Sequence, residues 1–394
     1  MKQQKNLSIA TATLFLTVIF GFGVSFWVIP DKSFSENENR VLQSLPKISA
    51  QSLLDGNLSR DFNAYFTDQF PFRDSMLTVG AVTQLTMGRG ETNGVLVGKG
   101  GQLAVRKFDA YISLTERAKD SDYFDKQHIQ NAARALEALA SNVSIPLTVF
   151  PAPRTLDVAI SSFDYPADLS DRLHDTLYQA LDTARVDALD MTGTYRALYN
   201  QGDYVYYHTD HHWTTLGAYT AYKAIMEHWS MGNEVLPQVA FTVRQADDFY
   251  GTTWSRARLS AIPPDTLEIW ELEDDQAYVM RDQNGEFLQN GFVDENYLTG
   301  KDKYGAFLSG TRQFLTISKE GQTDVGKPRL LMARDSFASA LAPFLARHFD
   351  LVLVNLSGGM THLSAYAEDY ECDRILVVCN LENFVTSDCV VRVD

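Results

Sequence analysis

The sequence predicts an α/β fold: a mainly parallel sheet with helices on both faces, an inserted lobe of strands and loops, and one apolar helix set apart at the N-terminus. Three observations predict it. Short apolar runs alternate with amphipathic helical stretches from residue 144 onward. Three such runs, Arg329–Ala333, Asp350–Leu356 and Arg374–Leu381, follow one another near the C-terminus with helix or loop between them. The stretch Leu7–Ile29 is uncharged. Strand–helix alternation implies a parallel sheet covered on both sides, because each crossover lays a helix across a face.

The N-terminal run comes first. Lys2 and Lys5 precede its 23 residues, which read LSIATATLFLTVIFGFGVSFWVI. As a helix they reach roughly 34 Å, enough for a hydrocarbon core of about 30 Å. Lysines before the run and acidic Asp31, Glu36 and Glu38 after it favour a cytoplasmic N-terminus and an exported remainder. A cleaved signal peptide is the rival reading, but its apolar core is shorter, about 7–15 residues, and ends at small residues. Bulky FWVIPDK stands there instead. A buried core helix would need a polar side to face water, and this run has none.

Residues 30–90 read as a linker and a membrane-proximal helical region, with apolar residues at helical spacing interrupted at Pro71. Residues 91–394 read as the main domain. Within it Gly94–Val105 alternates around glycines, as a hairpin does. A helix is expected over Asp122–Ser141 and a buried strand in SIPLTVFPAP, 144–153. Asp168–Ala184 is amphipathic with Asp168 or Ser170 as its cap, Val186–Met191 reads as a short strand, and Thr214–Ser230 as another helix. Residues 240–320 break the alternation and read as the insertion.

Composition narrows function. The 394 residues are 45% hydrophobic, ample for a large core, and the formal charge of −16 repels nucleic acid and acidic headgroups. The three cysteines, Cys372, Cys379 and Cys389, leave at least one free thiol in a monomer. Cys379 sits in an apolar run, a Cys372–Cys389 bridge is open, and no histidine lies beside any of the three to make a nucleophile.

The chemistry concentrates in YYHTDHHWTTLGAY, Tyr206–Tyr219, which holds Asp210 and three of the chain's eight histidines, His208, His211 and His212. Asp210 and His212 are two apart, so an extended or turned backbone puts both side chains on one side. Far downstream, the strand ending at Arg334 runs through Asp335 and Ser336 into a helix. A serine there lies at the C-terminal edge of the sheet, where open α/β sheets bind ligands, beside helix N–H groups suited to an oxyanion. Its hydroxyl needs a base, and the base an orienting carboxylate; His212 and Asp210 offer both. The plainer reading is that Ser336 or Asp335 only caps the helix. Two readings of the histidines compete with this one: His208, Asp210 and His212 as a zinc site, or a helix start with no chemistry. His211 points away from His212 in an extended backbone and packs or contacts substrate. Of the aromatics, Trp213, Tyr206, Tyr207, Tyr250, Trp254 and Tyr304 are candidates to stack on sugar rings. Arg154, at a strand end, faces either the cleft or an ion-pair partner.

These segments resemble a known family. DHHWT at 210–214 is similar to the signature of the DHHW proteins, relatives of the alginate O-acetyltransferase group within the SGNH-hydrolase superfamily. SENENR, YFTDQFPFRD, NGVLVGKGGQL and FPAPRT before it, and KYGAFLSG and RDSFASAL after it, look similar too, as an ordered set. The resemblance runs from about Pro30 to the C-terminal region. It implies an SGNH-like fold and a triad of Ser336, His212 and Asp210. It also implies an extracytoplasmic acetyl transfer to or from a polysaccharide, beside a membrane-bound O-acyltransferase that supplies the acyl group. Tyr304, Arg154, Trp213 and Arg334 are the expected substrate contacts; no metal and no cofactor are expected. Two departures stand out: Arg334-Asp335-Ser336 replaces the usual Gly-Asp-Ser, and Gly358, Gly359 and Asn355 match the family's oxyanion donors only by position after a strand. A non-catalytic polysaccharide-binding or scaffold subunit is the alternative function.

Overall fold

The computed structural model describes residues 2–35, 40–106, 125–165, 167–321 and 327–394. Its chain divides into two compact units, Met1–Gly88 with Arg258–Ser260, and Arg89–Ala257 with Ala261–Asp394.

The first unit is helical. Helix α1, Lys2–Val28, contains an apolar span Asn6–Val28 with mean hydropathy 2.1, long enough to cross a membrane. Helices α2, Asn57–Asp68, and α3, Arg73–Thr86, follow, separated at the expected proline. Part of the polar SENENR stretch lies outside the described residues.

The second unit is built on a seven-stranded sheet. Its strands are β1, Leu147–Ala152; β2, Tyr278–Arg281; β3, Phe287–Asn290; β4, Phe314–Lys319; β5, Arg329–Arg334; β6, Asp350–Asn355; and β7, Arg374–Asn380. The order across the sheet is β3-β2-β4-β6-β5-β7-β1. The strands β6, β5, β7 and β1 are parallel neighbours. The other three are antiparallel, so the sheet is half parallel where a mainly parallel one was expected. The cause is the insertion. Residues 278–290 form a hairpin whose short turn, with Gly285 at φ +78°, can only reverse direction, and this hairpin extends the main sheet through β4 instead of standing apart as a lobe. Within the insertion, Thr242–Phe249 and Asp265–Glu271 pair apart from the main sheet.

Both faces are covered, and the period of two explains how. In β5, Leu330 and Met332 enter one core while Leu331 and Ala333 enter the other. Helix α4, Lys126–Asn142, and α5, Ala167–Thr183, bring Ile129, Leu136, Leu173 and Leu177 to the second core. Helix α6, Thr215–His228, and α7, Ala338–Leu345, bring Ala218, Tyr222, Leu341 and Phe344 to the first. The expected start of α4 at Asp122 lies outside the described residues; Asp125 caps the helix through Gln127 and His128. Ser170 lies within α5 and donates to Asp157 rather than capping. Val186–Met191 is not a strand. It makes a single bridge, Val149 to Ala188, with Val149 N–H donating to Asp187 O and Leu189 N–H to Val149 O. The glycine-rich hairpin is present, with Val95–Val97 antiparallel to Leu103–Val105. All three cysteines are buried free thiols, so no Cys372–Cys389 bridge forms.

Candidate active site

The parallel strands β1, β7, β5 and β6 end together at Ala152, Asn380, Arg334 and Asn355, and the site lies beyond that edge. Asp335 and Ser336 leave β5 there. Asp335 is nearly buried and accepts from the Phe337 N–H (2.9 Å), the Asn380 N–H (2.6 Å) and Asn383 Nδ2 (2.8 Å). The turn into α7 is thus held by Asp335, and the Ser336 hydroxyl is released for another partner.

That partner is His212. The segment carrying it is a tight hairpin: Tyr206 bridges Trp213, Tyr207 N–H donates to His212 O, and Thr214 N–H to Val205 O. Thr214 ends the hairpin by capping α6 through the Gly217 N–H (3.2 Å). A Cβ at Gly217 would collide with Val205 O and Trp213, so a side chain there would push the hairpin off the helix. Asp265 holds the hairpin from outside, accepting from the N–H groups of His208 (3.0 Å) and Thr209 (2.8 Å) and from Tyr204 OH.

The tip of this hairpin sets up a continuous chain of contacts. His212 Nε2 lies 2.7 Å from Ser336 Oγ, and its Nδ1 2.5 Å from Asp210 Oδ1. Asp210 Oδ1 also accepts the His212 N–H (3.1 Å), while Oδ2 accepts both the N–H (2.8 Å) and the Oγ1–H (3.0 Å) of Thr252. The carboxylate is therefore fixed on four sides. Gly251 precedes Thr252, and a Cβ there would strike the Asp210 side chain, so glycine is what allows this loop to approach.

Charge follows from the surroundings. Burial works to raise the Asp210 carboxyl, but the charges of His211 and His212 and their hydrogen bonds hold it well below its ordinary value. Burial, and then the neighbouring His211 charge, push His212 down to about 4 against the pull of Asp210. For His211, burial works downward and is outweighed by the Asp210 carboxylate, which raises it. At neutral pH the arrangement is a carboxylate beside a neutral imidazole whose Nε2 can accept the Ser336 proton.

Other expected residues fall elsewhere. Tyr304 is 5% exposed and stacks on the His212 ring at 3.9 Å with an 8° tilt, its OH reaching Phe337 O. It holds the imidazole plane and offers no face to a sugar. Trp213 is 0% exposed and donates to Phe337 O (3.1 Å), tying the hairpin to α7. Arg334 is also 0% exposed, bonded to Ser339 Oγ and Arg312 O. As substrate contacts these three are corrected: each is inside the core, where alternation along β5 and packing behind the hairpin put them. Arg154 is buried and doubly bonded to Asp157 (2.8 and 2.5 Å). It does border a cavity of about 270 Å³, together with Thr155, His211, Thr252, Arg256 and Asn380. His208 turns to Asp265, 3.9 Å away, so the expected trio of His208, Asp210 and His212 does not assemble. Asp210, His211 and His212 do bring ligand-type atoms within 4.8 Å of one another, but both His212 nitrogens are already engaged by hydrogen bonds.

Two residues escaped the sequence reading. Thr252 sits in the insertion, and the glycine before it was the available signal. Asn380 ends β7 beside β5; its Oδ1 accepts the Glu382 N–H (2.8 Å), and its Nδ2 makes no hydrogen bond among the described residues while the side chain borders the cavity. Asn355 and Gly358, better read from sequence as a plain loop than as donors, are engaged locally. Asn355 Oδ1 caps Ser357 (2.9 Å) and Gly358 is crowded by Gln313.

Comparison with known proteins adds to this geometry. Residues 186–355 match the profile of the family described as DHHW protein. The probable alginate O-acetylase AlgJ of Pseudomonas aeruginosa is 28% identical over 182 residues, 45% of either chain, so the match spans less than half of that relative. A DHHW family protein from Eubacterium siraeum superposes with a TM-score of 0.56 at 18% identity, covering 76% of this chain and 95% of that one. Bacillus cereus PatB1 superposes with a TM-score of 0.54 at 18% identity, covering 68% and 93%. At such identities the two structures show a shared fold. The Asp-His-His-Trp hairpin at 210–213 lies inside the segment 186–355 that is similar to the DHHW protein family.

Proposed function

We propose that this protein is a membrane-anchored serine O-acyltransferase that moves an acetyl group onto, or off, an extracytoplasmic polysaccharide through Ser336, His212 and Asp210. The observation that carries the reading is the unbroken chain from the Asp210 carboxylate through the His212 imidazole to the Ser336 hydroxyl. The acetyl group and the glycan come from the likeness to a probable alginate O-acetylase. The anchor is the apolar span of α1. We retain the division into an anchor (1–29), a membrane-proximal region (30–90) and a catalytic domain (91–394) with its insertion near 240–320. The N-terminus faces the cytoplasm, and a membrane-bound O-acyltransferase supplies the acyl group.

In this mechanism Ser336 Oγ attacks the donor carbonyl carbon as its proton passes to His212 Nε2, and the new C–O bond leaves a tetrahedral oxyanion. Asp210, acceptor of the Nδ1–H, stabilises the imidazolium. The Ser336 N–H at the start of α7 and Asn380 Nδ2 face the oxyanion. Its collapse breaks the bond to the leaving group, which takes the proton from His212 and leaves an acetyl ester on Ser336. A sugar hydroxyl then gives its proton to His212 and attacks that ester; as the second oxyanion collapses, the acetyl–Oγ bond breaks, Ser336 Oγ takes the proton back from His212 and the acetylated sugar leaves; water in its place releases acetate and makes the protein an esterase.

The test is intact-mass analysis of the purified full-length protein mixed with p-nitrophenyl acetate. An acetyl adduct mapping to Ser336, absent in Ser336→Ala, is expected. Nitrophenol release by Ser336→Ala at the wild-type rate would refute the reading.

A further inference from the structure

The first unit sorts its own residues by polarity along α1. Phe22 and Phe26 lie within the apolar span. The end of α2 and the turn into α3 lean on them. Phe66 meets Phe26 at 5.1 Å between ring centroids, Phe70 meets Phe22 at 5.4 Å, and Phe72 meets Phe22 at 6.4 Å. Phe22 stands six residues before the end of the span at Val28, about 9 Å along a helix axis. With a hydrocarbon core of about 30 Å centred on the span, Phe22 lies below the hydrocarbon boundary and Phe26 close to it. The rings that touch them must lie near the same depth.

The next layer is polar. Tyr65 OH donates to Asp31 (3.0 Å), and Gln69 exchanges hydrogen bonds with both the N–H and the O of Lys32 (3.0 Å each). Asp68 takes a forked pair from Arg40 (2.6 and 2.9 Å) and the Gln43 N–H (2.9 Å). A polar clamp around residues 31–43 thus sits directly after the span, with an aromatic layer against the span itself. The apolar side of α2 and α3 also stays open to the surroundings: Phe62, Phe66, Phe72 and Met76 are 43–61% exposed. Apolar patches of this kind on soluble proteins mark binding surfaces. This one is continuous with the lipid-facing surface of α1 through the Phe66–Phe26 and Phe72–Phe22 contacts, and helices lying at the interface bury Phe and Leu at the headgroup–acyl boundary.

We infer that the α2–α3 turn, Gln69–Phe72, together with the exposed apolar side of α2 and α3, is inserted in the outer boundary of the bilayer. The occupant of the surface is lipid. The inference rests on reading α1 as a membrane span, and it adds a second point of membrane attachment that the anchor alone does not require.

The test uses the full chain in phosphatidylcholine–phosphatidylglycerol nanodiscs with a nitroxide at Phe72→Cys, at Leu16→Cys within the span, and at Val239→Cys, a fully solvated position. Collisions with oxygen and with a nickel chelate are measured. At Phe72 the chelate collisions should be lost, as at Leu16, with oxygen collisions retained. Chelate access at Phe72 equal to that at Val239 overturns the inference while leaving the anchor intact. Access lost to both reagents at Phe72 also overturns it, because protein rather than lipid then covers the turn. Chelate access at Leu16 overturns the anchor and the inference together. Photolabelling of the unmodified chain by a diazirine phospholipid guards against a misfolded variant: peptides spanning Phe62–Met76 should be labelled alongside those of α1, and labelling confined to α1 overturns the inference.

Discussion

Replacing Asp210 by asparagine separates the carboxylate's chemistry from its shape. Asp210 accepts four donors, two from His212 on Oδ1 and two from Thr252 on Oδ2. Asparagine keeps one accepting oxygen and presents an NH₂ to the other side. If the oxygen faces His212, the Thr252 hydroxyl can turn to accept, but the Thr252 N–H loses its partner at a part-buried position, costing about 1 kcal/mol. If the NH₂ faces His212, the buried His212 N–H loses its partner, costing about 1–3 kcal/mol. Nδ1 must then accept, and the ring proton moves to Nε2. Ser336 then has no base. Both orientations also lose the negative charge that stabilises the imidazolium. The analogous change in serine proteases lowers kcat by about 10⁴, or about 5 kcal/mol of barrier. The expected outcome is a fall of that order in acetylation of Ser336, read by stopped-flow nitrophenol release, with melting showing a folded but modestly destabilised protein. A variant within tenfold of wild type would show that Asp210 is not the orienting acid.

Asn380→Ala should lower the acetylation rate by about 10²–10³, the usual loss on removing one oxyanion donor, with a stability loss of about 1 kcal/mol from the freed Glu382 N–H; an unchanged rate assigns the donor elsewhere. The acid limb of the rate profile should lie near pH 4, where burial and His211 place His212, rather than near 6.5. His211→Gln removes a positive neighbour, so His212 holds its proton more easily and the limb should move up in pH; no movement would mean His211 does not act on it. Stability should follow the same groups. The unfolded His212 takes a proton below about 6.5 while the folded one resists until about 4, and Asp210, held low, loses its contribution only in stronger acid. Melting measured against pH should therefore show stability falling as pH drops through that window. Chelator-treated protein should keep full activity, since both His212 nitrogens serve as hydrogen-bond partners of Asp210 and Ser336; loss of activity restored by zinc would overturn the assignment.

Much of the scaffold was legible because burial leaves a periodic trace. The four parallel strands, the helix after Thr214 and the apolar span all follow from the spacing of apolar residues. Arg334 was legible too, yet misassigned. It is in step with Leu330 and Met332, so the period of two already turned it inward. Its position beside Ser336 suggested a substrate contact, but a cation satisfied inside a core looks the same in sequence as one facing a cleft. The antiparallel half of the sheet was hidden because a short strand such as Phe287–Asn290 carries little buried apolar surface, and nothing local reveals which edge it will join.

By itself, the sequence determined the local devices: a membrane-length apolar helix, an Asp-x-His pair with both side chains on one side of the backbone, and a serine between strand and helix. Each rests on residues close along the chain, whose geometry the backbone dictates. Tertiary structure alone decided their meeting. Ser336 reaches His212 across 124 positions and Thr252 reaches Asp210 across 42, while Tyr304 closes over the imidazole and His208 turns away to Asp265. Contacts at such separations depend on how whole layers pack and on which buried polar groups find partners, and those are properties of the closed molecule rather than of any stretch within it.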